Sequence, residues 1–373
     1  MAALNQRKRL VSLDALRGFD MFWIIGGSSI AKGFNYLHVS WSGAIAHQLS
    51  HSKWNGFTFY DLIFPLFIYM TGISVVLSLK KRSGQVDQGS MMKHILKRTA
   101  IMFLIGIIYN YSPTVMPSIG ATRIMGVLQR IALCYLFVSL MVLYTRPRSQ
   151  AAAVVGILVF YWAIMRFVPV PGYGAGVWTE QGNLAGYIDN LLLPGRLYHG
   201  TWDPEGLLST IPAFATCLLG VLSGHWLRVT EWYRGRLNSN DHALYLFLGG
   251  SMLVIFGILA DAFFPINKNL WTSSYVLLTG GLSAMLLAAF YWIVDIRGHQ
   301  APAFPFILIG MNSIFIYLAA RFYPFDSIAS WLVSANHHLY LGSSQALIAA
   351  VTAICLEVLL VFWLYRRKIF IRI

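Results

Sequence analysis

Long apolar runs, separated by short polar and mostly basic stretches, set the pattern of this chain. About 20 residues of helix are needed to cross a hydrocarbon core. Ten runs approach that length: roughly 12–32, 57–79, 96–112, 125–145, 150–169, 206–227, 243–264, 270–294, 304–321 and 345–365. They predict an all-α polytopic membrane protein, a single transmembrane domain over residues 1–373. The third and ninth runs are short, and the first carries Asp14, Arg17 and Asp20. No repeat and no second soluble domain is visible. The longest connection, 170–205, could form only a small cap. Val168-Pro-Val-Pro-Gly172 and Trp202-Asp-Pro-Glu-Gly206 read as rigid turns. Asp203-Pro204-Glu205 suits the N-cap and first turn of the sixth run. The stretch 322–344 reads as a loop.

Charge orients this picture. Nineteen of the 28 Lys and Arg residues fall in the segments around 7–9, 80–98, 146–148, 228–236, 297 and 366–372. The alternate connections hold six: Lys32, Lys53, Arg123, Arg196, Lys268 and Arg321. By the positive-inside rule both termini are expected in the cytoplasm, which requires an even number of crossings. The basic residues lie between apolar runs rather than in one stripe, so they do not read as a nucleic-acid footprint. With 57% hydrophobic and 11% charged residues, a soluble protein is excluded. Cys134, Cys217 and Cys355 all lie in apolar runs and are expected as small core residues, not as disulfides or metal ligands. No cleavable signal peptide is expected, because the run after Arg7-Lys8-Arg9 carries charge.

The chemistry-bearing stretch runs from His51 to Gly72. Asn55-Gly56 is a turn dipeptide, and Trp54 and Phe57 suit a bilayer interface. Asp61 then enters the second apolar run with no basic residue in that run to pair with. A carboxylate there needs a polar cavity or a partner. With His51 nearby, the pair is the minimum equipment for proton transfer at neutral pH. An interfacial His and an Asp that ties helices would leave the same pattern, and the residues alone do not choose. Asp14, Arg17 and Asp20 share a face of the first helix, where Asp14–Arg17 reads as a structural pair. Gln129 and Arg130 open the fourth run, and Arg130 needs a partner, a phosphate or a carboxylate. Asn267, Asn269 and Asn312 either orient a polar substrate or join helices. Glu357 lies in the tenth run. His199, His337 and His338 have no metal spacing and read as surface residues, so no metal site is expected.

The stretch from Arg9-Leu-Val-Ser-Leu-Asp14 to Arg17-Gly18, followed by His51-x-x-Trp54-Asn55-Gly56-x-Thr58-x-x-Asp61-Leu-x-Phe64-Pro65, resembles the heparan-α-glucosaminide N-acetyltransferase family. That family is a branch of the transmembrane acyltransferases, and the likeness is to its bacterial NagX-like members. It continues through Arg123-Ile-Met-Gly126-Val-Leu-Gln-Arg130, Gly186-Tyr-Ile-Asp189, Asp203-Pro-Glu-Gly206, Pro265-Ile-Asn-Lys-Asn-Leu-Trp271 and Gly310-Met-Asn-Ser313, and ends at Tyr365-Arg-Arg-Lys368. The resemblance implies acetyl transfer from acetyl-CoA, as cosubstrate, to the amine of a glucosamine-type sugar across a membrane. It implies His51 as the catalytic histidine and a cytoplasmic entrance for the acyl-CoA. Where the family's lysosomal members carry an Asn to which the resemblance assigns a catalytic role, this chain has Ser28.

On that reading His51 is the base and Asp61 holds its tautomer. Ser28, Asn55 or a backbone N–H serves the thioester oxyanion. Arg17, Arg130, Gln129, Asn267, Lys268, Asn269 and Asn312 are the candidates for the CoA and sugar contacts. Direct transfer and an acetyl-His51 intermediate both stay open. The expected setting is a bacterial inner (plasma) membrane, with acyl-CoA, an amino-sugar acceptor and the lipid bilayer as partners, no nucleic acid, and a homodimer as an open alternative. The rival readings are an amino-sugar transporter, against which the missing inverted repeat counts, and a non-catalytic membrane partner.

Overall fold

The computed structural model describes residues 10–82, 87–111, 122–232, 238–335 and 342–371. The 113–121 stretch and His337–His338 lie outside them. Among the described residues, seven helices are long and apolar enough to cross a membrane. An eighth candidate is a pair, α11 (Phe304–Met311) and α12 (Ser313–Phe322), bent by 79° at Asn312. This is a multi-pass all-α membrane protein. Its helices α6 (Pro147–Phe167) and α9 (Ser239–Asp261) expose Val155, Val159, Phe160, Met252, Ile255 and Leu259, which a lipid environment accommodates and water does not. The helices α1 (Val11–Tyr36) and α4 (Gln88–Asn110) are as long, at 26 and 23 residues. They carry Asp14, Arg17, Asp20 and Lys32, or Lys93, Lys97 and Arg98, and fall outside the seven.

Three expectations are corrected. The 322–344 stretch is not all loop: α13 (Phe325–Ala335) packs Phe325 and Ala329 against Ala353. Its apolar residues recur at helical spacing, a signal masked by Pro324 and the polar residues around it. Asp203 does not cap the sixth span. That helix, α8 (Leu207–Trp232), begins later, and the Asp203 carboxylate is turned to Arg123. Cys134 and Cys217 are buried, but Cys355 is exposed on α14 (Gln345–Arg366), because its position falls on the outward stripe of that helix.

The chain divides into two compact units. The first comprises residues up to Ala46, Asn238–Phe247 and Met285–Arg372. In it α1 packs on α11 and α14 with almost no side chain between backbones. A Cβ on Gly18 would strike the Phe306 carbonyl, and one on Gly310 would strike that of Asp14. The start of α1 is capped from a distance. Both Asp295 carboxylate oxygens, in the π-helical turn Tyr291–Ile296, accept N–H groups, those of Val11 and Ser12, at 3.2 Å each. The pairing of Asp14 with Arg17 is present at 3.4 Å.

The second unit comprises His47–Leu237 and Leu248–Ala284. Its spine is α3 (Ile63–Arg82) against α8, with α5 (Val127–Tyr144) beside both. Gly72 faces the Cys217 carbonyl and Gly220 faces that of Tyr69, so the two backbones meet directly. The connection 168–206 folds into a two-residue hairpin, Pro169–Val170 with Gly174–Ala175, and the helix α7 (Leu184–Leu192). Tyr161, Met165, Leu184, Phe264 and Leu270 form an apolar cluster beneath it, with Trp54 and Trp178 packed alongside. We expect Gly220→Ala to lower the melting temperature measurably, at a cost of about 1–3 kcal/mol for overpacking. Gly249→Ala, where a Cβ meets nothing within 4 Å, should not lower it. Thermal unfolding followed by size-exclusion chromatography compares the two.

Candidate active site

Asp61 is the centre of a polar cluster in the second unit. It sits in the short 3-10 turn Phe59–Leu62 that leads into α3, and it is fully buried. The turn forms because Thr58 and Asp61 make a capping arrangement: the Thr58 N–H donates to Asp61 Oδ2 at 3.1 Å. The Thr58 hydroxyl lies 3.0 Å from the same oxygen and 2.6 Å from the Ser50 carbonyl. The Ser52 N–H adds a third contact at 3.2 Å. This leaves Asp61 Oδ1 for His51, whose Nδ1 lies 2.8 Å away. A carboxylate accepts only, so the donor in this contact is His51 Nδ1. The His51 side chain is 50% exposed and the Asp61 side chain is not exposed at all.

Lys268 completes the group. Its Nζ is 2.8 and 2.9 Å from the two ring nitrogens of His51 and 3.8 Å from Asp61 Oδ1. Burial pushes the Lys268 ammonium below the ordinary lysine range, and Asp61 opposes that shift. The 262–272 connection that carries Lys268 is tightly held. Asn267 donates to Asn55 Oδ1 at 3.0 Å and accepts the Leu270 N–H at 2.9 Å. The Gly56 N–H donates to the Ile266 carbonyl at 2.8 Å, and Gly56 has φ of 105°, the left-handed region in which the Asn55-Gly56 turn needs glycine. Trp271, almost wholly buried, also sits at positive φ, 53°. Its indole N–H donates to Thr216 Oγ1 at 3.1 Å. A bulky residue held in that conformation is backbone strain, which functional sites concentrate. Asn269 occupies the same turn as Lys268 and is half-buried.

Arg130 lies over the Trp271 ring at 4.8 Å, fully buried. Among the described residues it forms no ion pair with an acid. It donates to Ser209 Oγ and, at 3.4 Å, to the Gly206 carbonyl. Its Nε and Nη1, and both polar atoms of the neighbouring Gln129 side chain, have no hydrogen-bond partner among the described residues. Arg123 takes the acids instead. It binds Asp203 in two places, Nε to Oδ2 at 2.7 Å and Nη2 to Oδ1 at 2.5 Å, and also meets Glu205. Burial works against its charge, and the two carboxylates overcome it, holding Arg123 above the ordinary arginine range.

The second unit thus brings together His51, Asp61, Lys268, Asn55 and Asn267, with Arg130 and Gln129 on α5. Ser28, Arg17 and Asn312 belong to the first unit. There Asn312 is engaged by the chain end, donating to the Ile369 carbonyl at 3.3 Å and accepting the Ile371 N–H at 2.9 Å. Thr58, Ser209 and Asp189 were not foreseen as contributors. Thr58-x-x-Asp61 is the capping-box spacing and could have been read. Nothing in the sequence marks Ser209 or Asp189 as neighbours of Arg130.

Comparison with known proteins bears on this geometry. The chain is 28% identical to the human protein named heparan-alpha-glucosaminide N-acetyltransferase over 98% of its own length, and 29% identical to the mouse protein of the same name over 99%. It spans about 60% of the length of these curated relatives. The family described as heparan-alpha-glucosaminide N-acetyltransferase, catalytic, matches residues 9–260, which include His51, Asp61, Arg130 and Asp189. The chain belongs to the heparan-alpha-glucosaminide N-acetyltransferase catalytic family.

Proposed function

We propose that this protein is a membrane-embedded acyltransferase, a single domain over residues 1–373, that moves an acetyl group from cytoplasmic acetyl-CoA to the amine of a glucosamine-type sugar at the outer face of a bacterial inner membrane. The observation that carries the reading is the half-exposed His51 held at 2.8 Å by a buried Asp61, in a chain of this family. The acceptor amine attacks the thioester carbonyl, the C–S bond breaks, and CoA leaves as its thiol. His51 Nε2 takes the proton that the amine loses and returns it to the departing sulfur. Asp61 keeps Nε2 free of its own proton and stabilises the imidazolium that forms. Lys268, whose Nζ lies against both ring nitrogens of His51, is placed to stabilise the oxyanion with its ammonium, with Asn55 beside it. Arg130, with two unbonded N–H positions, is suited to an oxygen of the acyl donor.

The orientation rests on the basic residues: with both termini cytoplasmic, the connections 51–58, 168–206 and 262–272 face outward. The fold then needs an even number of crossings, and counting α1 and α4 with the eight candidates gives the ten read from the apolar runs.

Four measurements test the proposal. Purified protein supplied with acetyl-CoA and a panel of amines should release CoA and N-acetylate glucosamine; uptake of sugar into vesicles without CoA release would replace the enzyme by a carrier. His51→Asn should abolish turnover while acetyl-CoA binding persists, and normal turnover in that variant removes His51 from the chemistry. Asp61→Asn should lower kcat by ~10²–10⁴, because an amide can favour the wrong imidazole tautomer. Full activity in a stable Asp61→Asn protein contradicts the orienting role. Finally, a reporter in the 83–86 segment should read cytoplasmic and one near residue 180 external; a cytoplasmic signal near 180 reverses the orientation.

A further inference from the structure

Gly206 sits between two buried groups that are each only partly bonded. Its carbonyl accepts from Arg130, and its Cα faces Asp189 so closely that any Cβ there would overlap the carboxylate. Asp189, on α7, is fully buried. Its Oδ1 accepts the Leu207 N–H at 2.8 Å and so caps α8, whose own preceding acids are turned to Arg123. Its Oδ2 has no hydrogen-bond partner among the described residues, and neither do Arg130 Nε and Nη1. A buried carboxylate oxygen and two buried guanidinium N–H positions are therefore left over around one glycine. Such groups are costly to leave bare, and each supplies what the other lacks.

The charged and titratable groups near Asp189 are Asp203, Arg130 and the Tyr161 hydroxyl, with Arg123 and Glu205 joined to Asp203. Tyr161 is occupied, donating to the Leu270 carbonyl at 2.6 Å. Asp203 is bound twice by Arg123, so its pairing is already made. Arg130 is the cation with unused donors. Burial pushes the Asp189 carboxyl up to about 7, with the Leu207 N–H opposing, Asp203 adding, and Arg130 and the Leu208 N–H opposing. The stability that the neutral form contributes is complete below the ordinary carboxylate range and is lost as the pH rises through about 7.

We propose that Asp189 is a protonation-controlled positioning residue for Arg130. Neutral, it caps α8 and leaves the guanidinium on Ser209 and over Trp271. Ionised, it draws the two unbonded N–H groups to its Oδ2 and takes Arg130 off the Trp271 ring. The consequence for turnover rests on the proposed donor contact of Arg130: acetyl-CoA should bind more weakly once Asp189 is ionised.

The test reads Arg130 directly, through the indole it covers. Tryptophan fluorescence of the full chain in detergent is titrated from about pH 5 to about pH 9, and the signal of a Trp271→Phe protein is subtracted. The difference signal should change in one step with a midpoint near the value for Asp189, about 7. Asp189→Asn keeps an oxygen for the Leu207 N–H and cannot ionise, so the step should vanish while the melting temperature at the acid end stays that of the parent. A step that persists unchanged in Asp189→Asn, or no step in the parent, overturns the proposal. Ser209→Ala frees Arg130 and should move the midpoint to lower pH; an unmoved midpoint also overturns it, and this arm decides if Asp189→Asn does not fold. In turnover assays the KM for acetyl-CoA should rise with pH in the parent relative to Asp189→Asn, with the kcat ratio constant. A protein without transferase activity would defeat the functional proposal yet leave the fluorescence arm to judge Asp189.

Discussion

The burial of Asp61 is the constraint around which the second unit is arranged. An ionised carboxylate at the mouth of an apolar helix is tenable only if donors replace the water it loses. The chain supplies them from several places: the Ser52 and Thr58 N–H groups, His51, and the Lys268 ammonium more than 200 residues further on. Local donors fix the turn, and the distant one fixes the 262–272 connection against it. The Tyr275 hydroxyl, donating to the Asp61 carbonyl at 2.6 Å, ties in α10 (Ser273–Phe290) as well. The demand of one buried charge thereby sets the positions of His51, Lys268 and the loop between Pro265 and Thr272.

A second set of buried charges solves the same problem differently. Arg123 pairs with both Asp203 and Glu205 inside the protein, at the ends of the segments leading to α5 and α8. This pairing removes the acids that would otherwise cap α8 and leaves that task to Asp189. It also leaves Arg130 without a carboxylate, resting on Ser209, a carbonyl and an indole face. Buried ion pairs add little net stability when complete, yet breaking one is costly. Their larger effect here is to distribute partners: which cation is committed, and which keeps open positions.

Much of the scaffold was legible beforehand. The apolar runs placed the helices within a few residues, because hydrocarbon leaves the backbone no other way to satisfy its own N–H and C=O groups. Asn55-Gly56 announced its turn, and Gly56 takes the positive φ that such a turn requires. The separation of ten residues between His51 and Asp61 allowed contact without requiring it. Thr58 bends the chain so that the contact forms, and its capping spacing was present to be read. Less legible were the segments between the runs. The helical spacing of α13 was masked by Pro324 and the polar residues around it, and the hairpin at Pro169–Ala175 carries too few residues for a periodic signal.

What the sequence determined by itself was therefore the class of structure, the order of its apolar helices and the one stretch, His51 to Asp61, in which an imidazole and a buried carboxylate are near neighbours. Those properties are local: hydrophobicity, turn chemistry and spacing. Only the tertiary structure decided which charge meets which. That Lys268 reaches His51, that Arg123 rather than Arg130 takes Asp203 and Glu205, and that Asp189 caps α8 follow from how helices approach through Gly72 and Gly220 and from where their connecting segments come to rest. Electrostatic pairing depends on distance in space and on the donors left over, and neither quantity is written in residue order.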